Sequence, residues 1–311
     1  MNVHDHIAVT SRSFSKNSVL RKELSDKYAH ITFNDKGLKL ENESLVAFLK
    51  GCNKAIVGLE KFNNEVLSQL PQLRIISRFG VGLDAIDLNA LKQHQVKLSC
   101  VPGTNRLAVA ELALSLMLQL VRNSFNASHR LRQGIWDKIT GHQLSGKTIG
   151  IIGANHIGKE VIRLLAPFHC KILIYDIADL SDYCNYYALQ QVAFDDLIRQ
   201  SDIISLHVPA NKGTFHMINE NVMHRMKKSA FLINTSRGEI VDQHALKEAL
   251  QSQKIAGAAL DVFQNEPEQD HEFLSLPNLI CTPHMAGNTV ESELDMGHAA
   301  ILGLETAVML V

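Results

Sequence analysis

Short apolar runs alternate with helical patterns along almost the whole of this 311-residue chain. Such alternation is typical of parallel α/β sheets, because each strand returns to the same edge through a crossover helix. A first series of strands is predicted near Ile7–Thr10, Ala55–Gly58, Arg74–Ser77 and Val96–Cys100. A second series is predicted near Lys147–Ile152, Lys171–Tyr175, Asp202–His207, Ala230–Ile233, Ile255–Leu260 and Leu279–Cys281.

Two long helical patterns lie where these two series meet and where the second one ends. The first, Leu107–Asn123, is apolar on most of its circumference, so we expect it to be buried nearly all round. The second, Val290–Leu310, is expected to cross back to the first series. The prediction is therefore an α/β chain with two doubly wound parallel sheets, in which a domain of residues 101–286 is inserted into a domain of residues 1–100 and 287–311.

The composition narrows the class of protein. A formal net charge of −1 gives no indication of binding to nucleic acid or to an anionic membrane. The five cysteines are scattered and form no C-x-x-C pair, which favours reduced thiols in the cytoplasm over a disulfide framework or a metal site. The segment Met1–Ile7 lacks the apolar core of a signal peptide, and the apolar stretch Leu107–Val121 is too short to span a bilayer.

One segment has the layout of a dinucleotide-binding turn. A predicted strand runs into Gly153-Ala154-Asn155-His156-Ile157-Gly158, and Asp176 follows 18 residues after Gly158, at the end of the next strand. In a Rossmann-type domain the glycines let the backbone approach the pyrophosphate, a helix amino terminus faces that anion, and an acid binds the ribose hydroxyls. We predict that Gly153, Asn155, His156, Ile157, Gly158 and Asp176 contact this cofactor, and that Asp176 selects NAD over NADP because a carboxylate repels a 2′-phosphate.

Asn155 departs from this pattern, since the G-x-G-x-x-G fingerprint has a glycine at its position. A side chain there takes up space near the pyrophosphate. Asparagine tolerates unusual backbone angles better than most residues, so we expect NAD to bind with a shifted or weakened phosphate contact.

Three further segments each follow a predicted strand in the last quarter of the chain. They are Asn234-Thr235-Ser236-Arg237-Gly238, Asp261-Val262-Phe263-Gln264-Asn265-Glu266-Pro267 and Thr282-Pro283-His284-Met285-Ala286-Gly287. Ligands of open parallel sheets bind at the carboxyl ends of the strands, so Arg237, Glu266 and His284 are predicted to share one edge.

These three residue types suit the oxidation of a 2-hydroxy acid, which removes a hydride from carbon and a proton from the hydroxyl. His284 is the candidate proton acceptor, because histidine titrates near neutrality. Glu266 would bond to the other ring nitrogen, fix the tautomer and stabilise the imidazolium. Arg237 offers a planar fork of donors to the carboxylate and the carbonyl oxygen of the keto acid.

The chain resembles the D-isomer-specific 2-hydroxyacid dehydrogenase family over essentially its whole length. The resemblance also includes Ser77-Arg78-Phe79-Gly80-Val81-Gly82-Leu83-Asp84-Ala85-Ile86-Asp87 and Pro102-Gly103-Thr104-Asn105 with Val109-Ala110-Glu111-Leu112. The first of these segments looks most like the phosphoglycerate dehydrogenase branch, in a short form without a regulatory domain. D-3-phosphoglycerate is therefore a candidate substrate.

The resemblance implies several further roles. It implies a flavodoxin-like substrate domain around the inserted NAD-binding domain, and a homodimer. Thr235 and Asp261 would contact the cofactor, Asp261 at the nicotinamide carboxamide. The backbone N–H groups of Val81 and Gly82 would bind the substrate carboxylate, and Arg78 would bind a phosphate group. Substrate selection is expected to come from the loops around Ser11–Ser15, Glu60–Lys61 and Arg78–Leu83.

Two alternatives remain open from the sequence. The chain could be an NAD-binding scaffold or corepressor with vestigial activity, which Asn155 favours and the set of Arg237, Glu266 and His284 opposes. It could also be a relative that oxidises formate or phosphite; Glu266 beside the histidine speaks against formate, where that partner is typically a glutamine.

Overall fold

The computed structural model describes residues 2–309 and divides the chain into two compact units. The five-stranded unit runs up to Asn105 and resumes at Asn288, whereas the seven-stranded unit runs from Arg106 to Gly287. Both sheets are parallel throughout, with helices between the strands. The predicted fold class of two parallel α/β sheets is confirmed.

The five-stranded unit has strand order β2-β1-β3-β4-β5. The strands are β1 (Asn2–Val9), β2 (Tyr28–Phe33), β3 (Lys54–Val57), β4 (Ile75–Arg78) and β5 (Lys97–Ser99). The helices that precede residue 106 are α1 (Arg12–Lys16), α2 (Ser18–Lys27), α3 (Asn42–Leu49), α4 (Asn64–Ser68) and α5 (Leu88–Gln93). Strand β2 was absent from the predicted strands, since this edge strand is largely solvent-exposed and lacks the apolar run of a buried strand.

The seven-stranded unit has strand order β12-β11-β10-β9-β6-β7-β8. The strands are β6 (Thr148–Ile152), β7 (Lys171–Tyr175), β8 (Gln190–Gln191), β9 (Ile203–Leu206), β10 (Phe231–Asn234), β11 (Gly257–Leu260) and β12 (Leu279–Cys281). The helices are α6 (Arg106–Arg122), α7 (Ser124–Arg132), α8 (His156–Leu165), α9 (Ser181–Tyr187), α10 (Phe194–Gln200), α11 (Glu220–Arg225), α12 (Gln243–Gln251) and α13 (His271–Leu274), with 3₁₀ turns at Ala166–Phe168 and Gly238–Ile240. The two-residue strand β8 is too short to give a sequence signal.

The register of this sheet brings particular strand ends together. Asn234 at the end of β10 pairs with Leu260 at the end of β11, and Leu260 pairs with Cys281 at the end of β12. Ile152 at the end of β6 pairs with Tyr175 of β7 on one side and with Leu206 of β9 on the other. The carboxyl ends of neighbouring strands therefore lie level, and the loops that follow them share one edge.

Helix α6 is less buried than the sequence indicated. One face packs into the core through residues such as Ala113, Met117 and Leu120, but Glu111 and Ser115 are exposed. The expectation of burial nearly all round was wrong. The second face of the helix carries alanines and leucines, which suggested burial, but it also carries Glu111 and Ser115 and is partly exposed. Among residues 2–309 no single helix is long and apolar enough to cross a membrane; only α6 and α7 together, bent by 69°, meet that test by length and composition.

The last helix, α14 (Val290–Thr306), packs on the five-stranded sheet. Ser77 Oγ of β4 donates to the carbonyl oxygen of Ala300 at 2.7 Å, and Gly303 lies so close to Ser77 and Ser99 that a Cβ there would overlap both hydroxyls. The helix ends at Thr306, four residues before the predicted end; Leu310 itself lies outside the described residues.

Candidate active site

The side chains of His284 and Glu266 form a close pair in the seven-stranded unit. Nδ1 of His284 lies 2.7 Å from Oε2 of Glu266, and the other carboxylate oxygen accepts the backbone N–H of Phe263 at 3.0 Å. The His284 side chain is 49% exposed and that of Glu266 is 36% exposed. A carboxylate at Nδ1 favours the ring tautomer that carries its proton there, so Nε2 is left to exchange a proton with a ligand.

The loop that carries His284 is fastened to Asp261, the first residue after β11. Asp261 is fully buried, and its carboxylate accepts from Thr282 Oγ1 at 2.6 Å, from Met285 N at 2.9 Å and from Ala286 N at 2.8 Å. Its carbonyl oxygen accepts from His284 N at 2.8 Å. These bonds surround a histidine with φ of 50°, an angle that non-glycine residues adopt infrequently and only with support from their surroundings.

Arg237 lies in the loop after β10, which Asn234 organises. The buried Asn234 side chain donates to Arg237 O at 2.8 Å and accepts from Ser236 N at 3.0 Å. The guanidinium is half-buried, and its Nη1 donates to Ser236 O at 2.7 Å. A guanidinium presents five N–H donors in a planar fork, a geometry that matches a carboxylate.

A glycine locks this loop to the segment that carries Glu266. A Cβ at Gly238 would overlap the carbonyl group of Phe263 and the nitrogen of Gln264. The two backbones are in direct contact, so only glycine fits at this position. Arg237, Glu266 and His284 thus belong to three loops that are held against one another at the ends of β10, β11 and β12.

The turn between β6 and α8 has the close packing of a dinucleotide-binding turn. Gly153 has φ of 90°, and a Cβ there would lie 2.7 Å from His207 O. A Cβ at Gly158 would overlap the carbonyl oxygen of Gly153. Gly153 is therefore required where the turn contacts the segment after β9, and Gly158 where α8 contacts the turn itself; the start of α8 is left for an anion.

Asn155 is built into this turn. Its φ of −78° is an ordinary value, so the backbone does not require glycine here. The side-chain oxygen accepts from Ile157 N at 3.1 Å and caps α8, while Nδ2 donates to His207 O at 2.6 Å. The side chain thereby uses one of the free N–H groups of the helix start, and the other early amides, including that of His156, remain for a pyrophosphate.

Asp176 joins the end of β7 to the same turn. Its Oδ2 accepts from Ala154 N at 2.8 Å and its Oδ1 accepts from Ala178 N at 3.0 Å, and the side chain is half-buried. Each oxygen can accept a further bond from a ribose hydroxyl. At the other side of the site, Thr235 is buried and its Oγ1 has no hydrogen-bond partner among the described residues, which fits a polar group of a bound ligand. The residues present therefore fit NAD.

His207 was not among the predicted site residues. It follows β9, is 3% exposed, and its Nε2 lies 2.9 Å from Ser205 Oγ. Burial lowers the pKa of His207 to about 4, so the ring is neutral at pH 7. The only sequence signal was its place at the end of the predicted strand Asp202–His207; the observed strand ends one residue earlier, at Leu206.

Three predicted substrate-binding residues lie in the five-stranded unit, in and just after β4. Arg78 is 7% exposed, and its Nε donates to Gly82 O at 2.7 Å. Cys100 Sγ lies 3.6 Å from Val81 O and 3.7 Å from Gly80 O, and burial raises the pKa of this thiol. Arg78 therefore supports the loop of Gly80–Gly82 from below, and its contact with a phosphate stays a prediction.

No cluster of three or more histidine, cysteine or acidic side chains suited to a metal ion occurs in the part of the chain that the structure describes.

Comparison with known proteins agrees with this geometry. A family model described as D-isomer specific 2-hydroxyacid dehydrogenase, NAD binding domain, matches residues 114–286. A glyoxylate reductase of Thermofilum pendens is 39% identical over 253 residues, which cover 79% of this chain and 75% of that protein. A D-3-phosphoglycerate dehydrogenase of Archaeoglobus fulgidus is 38% identical over 240 residues, which cover 76% of this chain but only 46% of that protein. The D-lactate dehydrogenase of Aquifex aeolicus, solved with NAD and lactic acid, superposes with a TM-score of 0.81 at 28% identity, covering 97% of this chain and 93% of that one.

Proposed function

Since the chain belongs to the D-isomer-specific 2-hydroxyacid dehydrogenase family and is an NAD-dependent oxidoreductase that interconverts a D-2-hydroxy acid and its 2-keto acid, we propose that His284, Glu266 and Arg237 are its catalytic residues. The predicted family, activity and cofactor are confirmed, and an enzyme is favoured over a scaffold or corepressor. The observation that carries the assignment of residues is the 2.7 Å contact between His284 Nδ1 and Glu266 Oε2.

In this proposal Nε2 of His284 accepts the proton of the substrate hydroxyl during oxidation. The ring becomes an imidazolium, and Glu266 stabilises the positive charge through Nδ1–H. In the reverse direction the imidazolium donates that proton to the oxygen of the keto acid. NAD, when bound, accepts the hydride from carbon-2 and, as NADH, returns it in the reverse direction.

Arg237 binds the substrate in its planar fork. The guanidinium faces the carboxylate and the carbonyl oxygen of the keto acid, and it stabilises the negative charge that develops on that oxygen. Its loop is fixed by Asn234 and Gly238, so the fork is held in place before the substrate arrives.

The cofactor would be held by the turn of residues 153–158, by Asp176 at the adenosine ribose, and by Thr235 and Asp261 near the nicotinamide. Asp261 carries three side-chain bonds that fasten the His284 loop.

The two units take different parts in this scheme. We assign NAD binding and the contacts of Arg237 to the seven-stranded unit, and further substrate binding to the five-stranded unit, where the N–H groups of Val81 and Gly82 would bind the substrate carboxylate. Gly80 has φ of 134°, a backbone angle that favours glycine in this loop.

We also propose a homodimer in the cytoplasm. The part of the seven-stranded unit from α6 onwards carries large apolar side chains that are exposed, including Leu107, Phe125, Leu131 and Ile135, with Trp136 80% exposed. Exposed large apolar side chains are typical of a surface covered by another subunit, here a second copy of the chain. All five cysteines are free, which supports a reducing compartment.

The substitution His284→Ala tests the catalytic assignment. We expect reduction of every 2-keto acid by NADH to fall by at least about 10³-fold, because the proton donor is lost. NADH affinity, measured by fluorescence titration, is expected to stay within about threefold, since the cofactor turn is untouched. His244→Ala, at an exposed position on α12, is the control. Near-normal turnover in His284→Ala would refute the proposed mechanism.

A further inference from the structure

The carboxylate of Glu60 lies at the carboxyl edge of the five-stranded sheet. Its Oε2 accepts from Gly58 N at 2.7 Å and from Thr10 Oγ1 at 2.8 Å, so it bridges the segments that follow β3 and β1. Within residues 2–309 no group donates a hydrogen bond to Oε1. This edge therefore presents a fixed carboxylate with an oxygen free to accept from a ligand.

The backbone around Glu60 is shaped to hold this carboxylate in place. A Cβ at Gly58 would lie 3.3 Å from Glu60 Oε2, a distance tighter than ordinary van der Waals contact. The absence of a side chain at Gly58 lets the acid fold back onto its own segment. The two hydrogen bonds then fix the position of the carboxylate. An acid on a mobile loop would have no such fixed position.

The carboxylate is close to the loop that we assign to the substrate carboxylate. Val57 of β3 pairs with Arg78 of β4, and Phe79 N donates to Val57 O at 2.9 Å. Neighbouring strands are about 5 Å apart, so the end of β3 lies about one strand spacing from the start of the loop that contains Val81 and Gly82. A substrate whose carboxylate binds to this loop would place its carbon-3 substituent within reach of one of the neighbouring strand ends.

Two basic side chains near this edge each donate one bond to a backbone carbonyl. Arg78 donates Nε to Gly82 O, and Arg12 donates Nε to Leu38 O. Thr10 and Glu60 bond to each other across the ends of β1 and β3, and Glu60 supplies the negative charge at this point, next to the exposed Lys61. A negative charge here repels a phosphate and attracts a hydrogen-bond donor.

On the basis of the proposed function, we infer that Glu60 determines specificity, and that it selects a 2-hydroxy acid whose carbon-3 substituent donates a hydrogen bond and carries no negative charge. A hydroxyl group is the simplest substituent of this kind. Phosphorylated acids, including D-3-phosphoglycerate, would be disfavoured by repulsion between the phosphate and this carboxylate.

The test compares three keto acids under identical conditions, with NADH as reductant: hydroxypyruvate, pyruvate and 3-phosphohydroxypyruvate. For the unmodified protein we expect kcat/KM for hydroxypyruvate to exceed that for 3-phosphohydroxypyruvate by at least about 100-fold. The variant Glu60→Gln keeps an acceptor for Gly58 N and Thr10 Oγ1 but removes the charge. It should lose about fivefold with hydroxypyruvate, gain about tenfold with 3-phosphohydroxypyruvate, and change little with pyruvate.

Glu65→Gln is the matched control, because Glu65 is an exposed acid on α4 of the same unit. Its three kcat/KM values should equal those of the unmodified protein, and thermal unfolding should report a folded protein for both variants. Preference of the unmodified protein for the phosphorylated acid, or an equal change with all three substrates in Glu60→Gln, would overturn the inference and leave the proposed function intact. Turnover of no 2-keto acid at all would overturn the proposed function, and the inference with it.

Discussion

A histidine lies within three residues of the end of β9 and another within three residues of the end of β12. The two histidines differ in burial and in hydrogen-bond partner. His207 is 3% exposed and bonds to the neutral hydroxyl of Ser205, whereas the His284 side chain is 49% exposed and bonds to the carboxylate of Glu266. A place at the end of a strand is therefore not enough to make a histidine an acid or base. Access to a ligand and a partner that stabilises the imidazolium are what separate the two.

The backbone around each histidine agrees with this difference. His207 lies beneath the cofactor turn: its N–H donates to Ile152 O at 2.8 Å, and its carbonyl oxygen accepts from Asn155 Nδ2 at 2.6 Å. His284 is held out from the sheet by bonds from its loop to Asp261. The bonds of His207 therefore support the cofactor turn, and the bonds of the His284 loop leave the imidazole ring of His284 accessible.

Among the changes that probe this comparison, removing the charged partner of His284 is expected to have the largest effect. In Glu266→Gln the ring keeps a neutral hydrogen-bond partner, like the one that His207 has, but loses the stabilisation of its imidazolium. We expect kcat to fall by about 10²-fold, with NADH affinity unchanged. Steady-state kinetics with a 2-keto acid measure the loss. Glu272→Gln, on the exposed surface of α13, should retain full activity; if both variants are equally active, Glu266 has no catalytic role.

Protonation of His207 is expected to have the next largest effect, on stability. Its pKa is about 4 in the folded protein and about 6.5 when unfolded, so the unfolded state binds more protons between these values. The contribution of His207 is therefore complete above pH 6.5 and is lost as the pH falls towards 4, by up to about 3 kcal/mol.

His207→Gln should flatten this part of the pH dependence, because glutamine does not titrate. Urea unfolding at pH 7.5, 6 and 5 measures the slope for the variant and for the unmodified protein. His244→Gln, an exposed histidine, should keep the original slope. An identical slope in all three proteins would mean that His207 is not buried in a neutral form.

The smallest effect is expected from Asn155, which joins the His207 segment to the cofactor turn. In Asn155→Gly the helix cap and the bond to His207 O are lost, and the glycine fingerprint is restored. We expect the free energy of unfolding to fall by about 1 kcal/mol and the Kd for NADH to change by less than about threefold. Chemical unfolding and fluorescence titration measure the two. Tightening of NADH binding by more than tenfold would show that the Asn155 side chain obstructs the pyrophosphate.

Much of the fold and of the site could be predicted from the sequence, because strands buried on both faces give continuous apolar runs and because parallel strands end at one edge. This placed Arg237, Glu266 and His284 in three neighbouring loops before any contact was known. The contact between His284 and Glu266 depends on β11 and β12 ending at the same level of the sheet. The apolar runs in the sequence locate the ends of these strands only approximately.

Other features could not be predicted, since they depend on packing between distant segments. His207 is buried because the cofactor turn folds over it. No local sequence pattern distinguishes it from the other 14 of the 15 histidines in the chain. The carboxylate of Asp261 was predicted to contact the cofactor; that it also fastens the His284 loop depends on residues 21 to 25 positions further along the chain. The edge strand β2 carries too few apolar side chains to be recognised.

The contact between Gly238 and Phe263 has a consequence for how such an enzyme can diversify. With two main chains touching, no side chain can be added at Gly238 by repacking of neighbouring side chains, so the backbones of the Arg237 and Glu266 loops can shift only together. The segment of Gly58 and Glu60 has no such constraint, because one carboxylate and two hydrogen bonds define it. Substitutions that change the preferred substrate are therefore expected to arise first in this segment. The catalytic residues and the reaction would stay the same while the substrate changes.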